Sequence, residues 1–374
     1  MKIGVVKETK KFERRVALSP EGVKLLINKD YVVLIESGAG ESSYFADQEY
    51  KSAGAKVVSK SEVLTSDVIL KVNPMTLEEA VHTKDGITCI SFLYANTLPE
   101  LIKVFLDKKI TAISLDTVPR ISRAQKMDAL SSQANLAGYK SVILGANYLG
   151  KIFPLMMTAS GTITPAKVLI FGAGVAGLQA VATAKRLGAI VEVTDVRPET
   201  KEQVESLGGR FLTVESEGKV KVEGGYAAEV SEEFLAKQKQ LIEDKIKYAD
   251  LVIATALVMG KKSPVLITEE MVKSMKNGSV IVDMAVESGG NCEISEIHKT
   301  VVKHGVTLVG ESNLPALLPM NASQLYSINI STLLLHLSTK DGLNLDFDEE
   351  ITRGSIITFE GVLIHEFTKK TMDL

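Results

Sequence analysis

The chain has 374 residues with 43 basic and 46 acidic side chains, a net charge of −3 and 45% hydrophobic positions. This composition excludes a disordered chain, which would be poorer in apolar residues and further from neutrality. No lysine- or arginine-rich block stands out, so neither nucleic acid nor an anionic lipid surface is expected as a partner. Two cysteines are too few for a disulfide framework, which favours a reducing cytosol. The length exceeds what one core usually fills, so two domains are expected.

The sequence does not favour export or membrane insertion. The N-terminal residues MKIGVVKETK contain no apolar run of signal-peptide length. The longest uncharged stretch, from Ser312 to Thr339, is interrupted by Asn, Pro, Gln and His, whereas a spanning helix needs about 20 predominantly apolar residues. No direct membrane insertion is therefore expected.

Short apolar runs alternate with helix-length amphipathic segments in the first third of the chain. Ser19 followed by Pro20 predicts an N-cap with proline at the first helical position, and Pro99 repeats the pattern. The alternation predicts a parallel α/β sheet. Six strands are predicted, at KIGVV near Lys2, VVLIES near Val32, AKVV at Ala55, DVILKV at Asp67, ITCISFL at Ile87 and ITAISLD at Ile110.

A long helical pattern from about Met127 to Leu149 separates these runs from a second series, KVLIF, AIVEVTD, LVIATAL, GSVIVDMA and VTLVG. We therefore predict an α/β protein with two Rossmann-like domains, parallel sheets and a cleft between the domains. After Leu314 the pattern is helical, with too few strand signals for a separate domain, so this segment is assigned to the first one. The predicted domains are residues 1–135 with 318–374, and residues 136–317.

The stretch from Gly208 to Gln240 lacks a clear strand and is polar and glycine-bearing in its middle. Long insertions of this kind are either mobile lids and binding loops or ordinary surface loops. Composition alone leaves both interpretations open.

The strongest local motif is FGAGVAG, from Phe171 to Gly177, which follows the apolar run KVLIF and opens a helix-compatible segment. Gly172 permits a tight turn, and Gly174 lets backbone N–H groups approach a pyrophosphate. Gly177 allows the helix to pack closely on the strand. The motif predicts a dinucleotide-binding turn.

An acid follows this motif at the expected place. Asp195 ends the next predicted strand, 21 residues after Gly174, where a carboxylate accepts the hydroxyls of an adenosine ribose. This favours NAD over NADP, although Arg197 would soften the repulsion of a 2′-phosphate.

Other candidate sites are weaker. The cluster from Gly38 to Ser43 is interpreted as a turn, because Ser43 replaces the third glycine and Glu41 would place negative charge at a phosphate. The five histidines are scattered singly, so no metal is expected. Cys292 has no histidine nearby in sequence and is interpreted as a buried thiol without covalent catalysis.

The segment from Pro119 to Gln133, PRISRAQKMDALSSQ, resembles the signature of the NAD(H)-binding component of proton-translocating nicotinamide nucleotide transhydrogenases. Further agreeing pieces are FGAGVAGLQA, TKEQVESLGG, GGYA and VESGGNC, so the resemblance spans nearly the whole chain. It implies Re/Si-specific hydride transfer between NADH bound here and NADP⁺ bound on a partner subunit. Proton translocation would be coupled through a membrane-spanning subunit.

From the residues alone, Gln125, Asp128 and Ser131 or Ser132 recur at spacings of three to four, so a helix would present them on one face. Such a polar face either hydrogen-bonds an amide and a ribose or is simply solvated. The resemblance implies the former. The nicotinamide end of NAD(H) is then held by Arg120, Ile121, Ser122, Gln125, Asp128 and Ser131. The remaining implied nucleotide contacts are Val175, Asp195, Val196, Arg197, Gly225, Gln238 and Leu257, with Tyr226 on a loop that closes over the nucleotide.

The nearest alternative is an NAD-dependent alanine dehydrogenase. The segment KETKKFERRVALSP of this chain resembles the N-terminal pattern of that family. That family uses the position of Arg15 for a substrate carboxylate. Reduction of pyruvate also needs a proton donor, yet Asn73 replaces the expected lysine, Ser91 to Thr97 contains no histidine, and Glu287 replaces an aspartate. Lys71 keeps this alternative open. Hydride transfer between two nicotinamide rings needs no acid or base. It requires only that the rings be oriented with their reacting carbon atoms roughly 3 to 3.5 Å apart.

The resemblance also implies a homodimer whose partners are NADP(H)-binding and membrane-spanning subunits. Because no spanning helix precedes the end of the sequence at Leu374, those parts are expected on separate polypeptides. The chain would then be cytoplasmic and peripheral on the cytosolic face of the membrane. A non-enzymatic alternative is an NAD-sensing module that binds NADH without transferring hydride.

Overall fold

The structure is a computed structural model that describes residues 1–213, 221–223, 226–229, 232–257, 262–339 and 342–372. The chain forms two compact units, Met1–Gln133 with Ala316–Leu374, and Ala134–Pro315. Each unit is built on a largely parallel sheet, which confirms the predicted α/β class. The sequence-based boundaries, after residues 135 and 317, lie close to those of the two units.

The N-terminal segment of the first unit contains all six strands expected from the apolar runs. Ser19 caps the first helix, since its side chain accepts a hydrogen bond from the Gly22 N–H. The strands are β1 Lys2–Val5, β2 Val32–Glu36, β3 Lys56–Val58, β4 Val68–Leu70, β5 Thr88–Ser91 and β6 Thr111–Ser114. The helices are α1 Pro20–Ile27, α2 Asp47–Ser52, α3 Lys60–Val63, α4 Leu77–His82 and α5 Pro99–Asp107.

Helix α6, Ala129–Tyr148, leads from unit 1 into unit 2. The five apolar runs of the second series all form strands there. The strands of unit 2 are β7 Met156–Thr158, β8 Gly161–Ile163, β9 Lys167–Phe171, β10 Ile190–Thr194, β11 Arg210–Phe211, β12 Lys221–Glu223, β13 Tyr226–Glu229, β14 Leu251–Ala254, β15 Val280–Asp283, β16 Thr300–Lys303 and β17 Val306–Val309. Its further helices are α7 Val175–Arg186, α8 Lys201–Ser206, α9 Glu232–Ile246 and α10 Glu269–Ser274.

The C-terminal segment returns to unit 1. Its elements are α11 Pro319–His336, β18 Ser338–Thr339, β19 Gly342–Leu343, α12 Glu350–Ser355, β20 Ile356–Phe359, β21 Val362–Leu363 and α13 Glu366–Thr371. The expectation of a mainly helical segment was incomplete, because β20 pairs antiparallel with β6 and extends the first sheet.

The first sheet has the order β21-β20-β6-β5-β4-β1-β2-β3, and the second β11-β10-β9-β14-β15-β17-β16. Apolar clusters cover both faces of each sheet, which explains why the central strands are continuous apolar runs. The carboxyl ends of parallel strands meet at one edge, where ligands bind in open α/β sheets. That edge therefore organises the candidate sites.

The expectation that Gly208 to Gln240 lacks a strand was wrong. This stretch contains β11 and the antiparallel pair β12 and β13, followed by α9 from Glu232. Residues 214–220, 224, 225, 230 and 231 lie outside the described residues. In the described part of the chain, no helix has both the length and the apolar character needed to cross a bilayer.

Candidate functional site

The glycine turn connects β9 to α7 in unit 2. Gly172 has φ +97°, a backbone conformation that favours glycine, and its N–H donates to the Thr194 carbonyl oxygen at 2.9 Å. A Cβ atom on Gly177 would lie 1.9 Å from the Gly172 carbonyl oxygen. Only glycine at position 177 therefore lets α7 pack this closely on the strand.

Gly174 is the N-cap residue of α7, and the space in front of it is open. Among the described residues other than its chain neighbours, the atom nearest to a Cβ on Gly174 would be Arg197 Nη2, at 3.9 Å. No side-chain hydrogen bond from the Gly174 N-cap satisfies the first-turn N–H groups of α7. A helix N-terminus with open space before it suits a pyrophosphate, so these residues fit the dinucleotide that the sequence predicts. Val175 follows and is partly exposed.

Asp195 lies at the end of β10 and binds both the glycine turn and Arg197. Its Oδ2 atom accepts from the Ala173 N–H at 2.6 Å and from Arg197 Nη2 at 2.9 Å. Its Oδ1 atom accepts from the Arg197 backbone N–H at 2.8 Å and from Nε at 2.9 Å. A carboxylate has about four acceptor positions, and Asp195 already accepts four hydrogen bonds. A ribose hydroxyl that bound Asp195 would therefore share an oxygen with Arg197 or displace one of its hydrogen bonds. The sequence did not predict this pairing.

The other cofactor residues of unit 2 are spread over several elements. Val196 is half-buried between Asp195 and Arg197, Gln238 is buried on α9, and Leu257 follows β14 with 42% of its surface exposed. Gly225 lies outside the described residues. The structure describes the backbone of Tyr226, in β13, and not its side chain.

The signature segment does not form the single helix that we expected. Residues Ser122–Met127 form a 3-10 helix, and α6 begins only at Ala129. Asp128, between them, has φ −72° and ψ 82°, which is not helical. The spacing of three to four was compatible with two short segments as well as with one helix. Within the 3-10 helix, Ser122 and Gln125 are exposed.

Asp128 instead caps α6. Its Oδ1 atom accepts from the Ser131 N–H at 2.8 Å, and its Oδ2 atom accepts from the Ser131 hydroxyl at 2.6 Å. The structure therefore places these two polar groups in direct contact. Arg120 is exposed and Ile121 half-buried just before the 3-10 helix.

The 3-10 helix is held by α11. The Asn329 side-chain amide donates to the Lys126 carbonyl oxygen at 2.8 Å, and the Ser132 hydroxyl donates to Asn329 Oδ1 at 2.7 Å. Ala124 and Met127 are buried in the core below. The backbone of the signature segment is therefore positioned by contacts with a helix almost 200 residues later in the chain.

Arg15 is 8% exposed and is paired within unit 1. Its Nη2 and Nε atoms donate to Glu13 Oε2 and Oε1 at 2.7 and 2.8 Å, and Nη1 donates to Gln133 Oε1 at 3.0 Å. Burial raises the pKa of Glu13, but the charge and hydrogen bonds of Arg15 and a hydrogen bond from Asn73 outweigh it and hold this pKa at about 2. The pair is therefore ionised at neutral pH.

Lys71 is 1% exposed. Its Nζ atom lies 3.6 Å from Glu8 Oε2 and 3.4 Å from Glu79 Oε2. Burial alone would lower the pKa of Lys71, but the two carboxylates outweigh it and raise this pKa. Asn73 donates to Glu8 and Glu13 at 3.1 and 3.0 Å. The two residues of the dehydrogenase alternative are thus both engaged in buried ion pairs.

The weaker candidates, the second glycine cluster and the two cysteines, are explained by ordinary structural roles. Gly38 has φ +75° and precedes a 3-10 helix at Glu41–Ser43, so the second glycine cluster is a turn, as expected. Cys89 and Cys292 are buried, and burial raises the pKa of both thiols, that of Cys89 to about 12. Among the described residues, no three His, Cys, Asp or Glu side chains are grouped to hold a metal ion.

Together, the two sheets and the glycine turn define a two-domain, Rossmann-like α/β protein with a dinucleotide-type turn in its second unit. The chain belongs to the alanine dehydrogenase/PNT family. Residues 4–137 match the N-terminal domain of that family, and residues 141–366 match its C-terminal domain.

The individual relatives distinguish between the two activities of this family. The chain is 48% identical to an NAD(P) transhydrogenase alpha subunit component of Rhodospirillum rubrum, over 98% of both chains. A solved transhydrogenase structure from Sinorhizobium meliloti is 40% identical, with a TM-score of 0.86 over 98% of this chain and 100% of that one. Alanine dehydrogenase 2 of Staphylococcus aureus is 34% identical over 89% of this chain and 86% of its own length. The resemblance to transhydrogenase components is confirmed, and alanine dehydrogenase is a more distant relative.

Proposed function

We propose that this chain is the NAD(H)-binding component of a proton-translocating NAD(P) transhydrogenase. It would carry NADH, whose nicotinamide supplies the hydride, and present it to NADP⁺ on a partner subunit with Re/Si specificity. The full-length similarity to subunits named NAD(P) transhydrogenase supports this proposal.

The buried ion pairs of Arg15 and Lys71 favour hydride transfer between nucleotides over the reduction of a keto acid. Reduction of a keto acid needs a cation for the carboxylate and a group that protonates the carbonyl oxygen. Here Glu13 already binds the Arg15 guanidinium, and Glu8 and Glu79 surround the Lys71 ammonium. Hydride transfer between two nicotinamide rings requires neither group, because no proton is added or removed.

Each half of the dinucleotide has its own proposed residues. In unit 2, the turn with Gly172, Gly174 and Gly177 receives the pyrophosphate, because the first-turn N–H groups of α7 have no side-chain cap from Gly174. Asp195, Val196 and Arg197 bind the adenosine ribose. The remaining proposed contacts in this unit are Val175, Gly225, Tyr226, Gln238 and Leu257.

In unit 1, the signature segment orients the nicotinamide end. An exposed amide at Gln125 and the hydrogen-bonded pair of Asp128 and Ser131 offer donors and acceptors to a carboxamide and a ribose. Arg120, Ile121 and Ser122 complete this proposed set. None of these groups exchanges a proton in the reaction, so their contribution is orientation.

The proposed assembly is a homodimer bound to NADP(H)-binding and membrane-spanning subunits. The chain would then lie in the cytoplasm, peripheral on the cytosolic face of the membrane. The subunit names of the relatives support the existence of partners.

The test is hydride transfer from NADH to NADP⁺, or to its thio- or acetylpyridine analogue, with and without an added NADP(H)-binding partner domain. Parallel reactions contain pyruvate and ammonia. We expect transfer only when the partner is present. Oxidation of NADH that depends on pyruvate would establish the dehydrogenase alternative. NADH binding without transfer to any acceptor would establish a sensing module.

A further inference from the structure

Asn291 is fully buried at the carboxyl edge of the second sheet and hydrogen-bonds both backbone groups of Ala256. Its Nδ2 atom donates to the Ala256 carbonyl oxygen at 2.9 Å, and its Oδ1 atom accepts from the Ala256 N–H at 3.0 Å. Nδ2 also donates to the Pro264 carbonyl oxygen at 2.8 Å. The Asn291 side chain thus satisfies both the N–H and the carbonyl group of Ala256, as the backbone of a neighbouring strand would.

Asn291 is itself held in place from the adjacent strand. Asp283, fully buried at the end of β15, accepts hydrogen bonds from the N–H groups of Asn291 at 3.1 Å and Cys292 at 3.0 Å. The carbonyl oxygen of Asn291 accepts from the N–H groups of Leu266 and Ile267, both at 2.9 Å. Because its backbone is anchored on two sides, the side-chain amide has a defined position from which to bind Ala256.

The residue before Ala256 contacts the glycine turn. The Thr255 N–H donates to the Phe171 carbonyl oxygen at 2.8 Å, and the Thr255 hydroxyl donates to the same oxygen at 2.9 Å. The short segment after β14 is therefore bound by the glycine turn at Thr255 and by Asn291 at Ala256. Leu257, the next residue, is half-exposed.

The strand order says which half of a dinucleotide this segment would meet. Asp195 follows β10, on one side of β9, whereas Leu257 follows β14, on the other side. With the pyrophosphate at the turn after β9 and the adenosine ribose at Asp195, the rest of the dinucleotide extends toward β14. The segment held by Asn291 is thus on the nicotinamide side.

We propose that Asn291 is a positioning residue for the nicotinamide half of the nucleotide, acting through the backbone of Ala256 and Leu257. This inference rests on the proposed function, since it presupposes a dinucleotide at the glycine turn. Without the amide, both backbone groups of Ala256 lose the hydrogen bonds that Asn291 makes, so the segment is held less firmly at this residue. The Asn291 side chain binds Ala256 and Pro264 and, among the described residues, neither the glycine turn nor Asp195, so the proposed pyrophosphate and adenosine contacts should depend on it little.

The test compares two ligands on the same variant. ADP-ribose contains the adenosine and pyrophosphate parts and lacks the nicotinamide, whereas NADH contains all of them. In Asn291→Ala, we expect the Kd for NADH to rise about tenfold, the effect of one or two hydrogen bonds, and the Kd for ADP-ribose to stay within about twofold. Ser263→Ala is the matched control. Ser263 is buried in the same region, and its hydroxyl has no hydrogen-bond partner in the described part of the structure.

Thermal unfolding is measured alongside, because loss of a buried amide also lowers stability. A merely structural role would lower the Tm and change both Kd values by the same factor, or change neither, and would overturn the inference. If Asn291→Ala does not fold, Asn291→Asp replaces it, since aspartate keeps an acceptor for the Ala256 N–H and loses both donated hydrogen bonds. Wild-type protein that bound neither ligand would overturn the proposed function itself.

Discussion

The guanidinium of Arg197 donates from Nε and Nη2 to the two carboxylate oxygens of Asp195, each at 2.9 Å. The same carboxylate accepts the Ala173 N–H of the glycine turn at 2.6 Å. Asp195 therefore stabilises the turn and neutralises Arg197 at once. The cation beside the proposed ribose position is thus balanced by the acid that would disfavour a 2′-phosphate there.

Asp195→Asn should change nucleotide preference as well as affinity. We expect NADH binding to weaken about tenfold, because a carboxylate accepts ribose hydroxyls more strongly than a neutral amide does. The ratio of NADPH to NADH affinity should rise, since the negative charge of Asp195, which repels a 2′-phosphate and pairs with Arg197, is removed. Fluorescence titration with both nucleotides measures this ratio.

The matched control is Glu192→Gln, an acid on the same strand that binds Lys245 at 3.1 Å and does not contact the turn. Its ratio should equal that of the wild type. An unchanged ratio in Asp195→Asn would contradict the ribose assignment.

Gly174 and Gly177 should respond differently to alanine. A Cβ atom on Gly177 would lie 1.9 Å from a backbone oxygen, so Gly177→Ala should lower the Tm and weaken every nucleotide. Apart from its chain neighbours, a Cβ atom on Gly174 would meet no atom of the described residues closer than 3.9 Å, so Gly174→Ala should keep the wild-type Tm. We nevertheless expect it to weaken NADH binding at least tenfold, because the methyl group fills the space for the pyrophosphate. Thermal unfolding and NADH titration of both variants separate the two effects, and undiminished affinity in Gly174→Ala would rule out a phosphate there.

The sequence predicted most of the fold because the central strands are continuous apolar runs that any parallel sheet requires. It missed β20 and β21, which are short and join the sheet through a partner, β6, that is far away in the chain. The break at Asp128 was missed for a similar reason. The hydrogen bonds that hold the 3-10 helix come from Asn329, so no local spacing records them.

The same limit applies to the candidate site. The glycine turn and Asp195 follow from a local motif, and the structure shows the turn that the motif requires. The engagement of Arg15 by Gln133 and the contact of Asn291 with Ala256 depend on residues brought together only by the fold. Sequence spacing does not carry such information, and only the resemblance pointed to the segment that contains Asn291.

Substitutions of Asp128 separate its cap from its proposed part in hydride transfer. Asp128→Ala removes the acceptor for the Ser131 N–H and should destabilise the protein by about 1 kcal/mol. Asp128→Asn keeps an N-cap acceptor and should have wild-type stability. It should still slow transfer, because the Ser131 hydroxyl, which now donates to Oδ2, would face an amide donor. Denaturant unfolding and single-turnover transfer with the partner domain measure the two properties. Equal stability of the two variants would argue against the cap.

Gln125→Asn shortens an exposed side chain by one methylene and leaves the backbone of the 3-10 helix unchanged. NADH binding should stay within about twofold of the wild type, whereas hydride transfer should slow at least tenfold, because a small misplacement of the rings lowers the rate steeply. Rapid mixing with the partner domain, alongside an NADH titration, measures both. The adjacent Lys126→Gln is the control, since Lys126 is also exposed. Transfer at the wild-type rate in Gln125→Asn would remove Gln125 from the proposed set.

The buried pair of Glu13 and Arg15 should make stability depend on pH in a defined window. The pKa of Glu13 is lowered from 4.5 to about 2 in the folded state, so the folded protein binds this proton less readily than the unfolded chain. The resulting stabilisation, about 3 kcal/mol from the size of the shift, is fully present above pH 4.5 and disappears as the pH falls toward 2. The difference in unfolding free energy between wild type and Glu13→Gln should therefore shrink over this range.

Glu296→Gln is the control, because Glu296 also has a pKa of about 2 but is paired with Lys299 and Lys303 at the surface. Water and salt screen an exposed pair, so this control should show a small difference that vanishes in high salt, while the difference for Glu13 should persist.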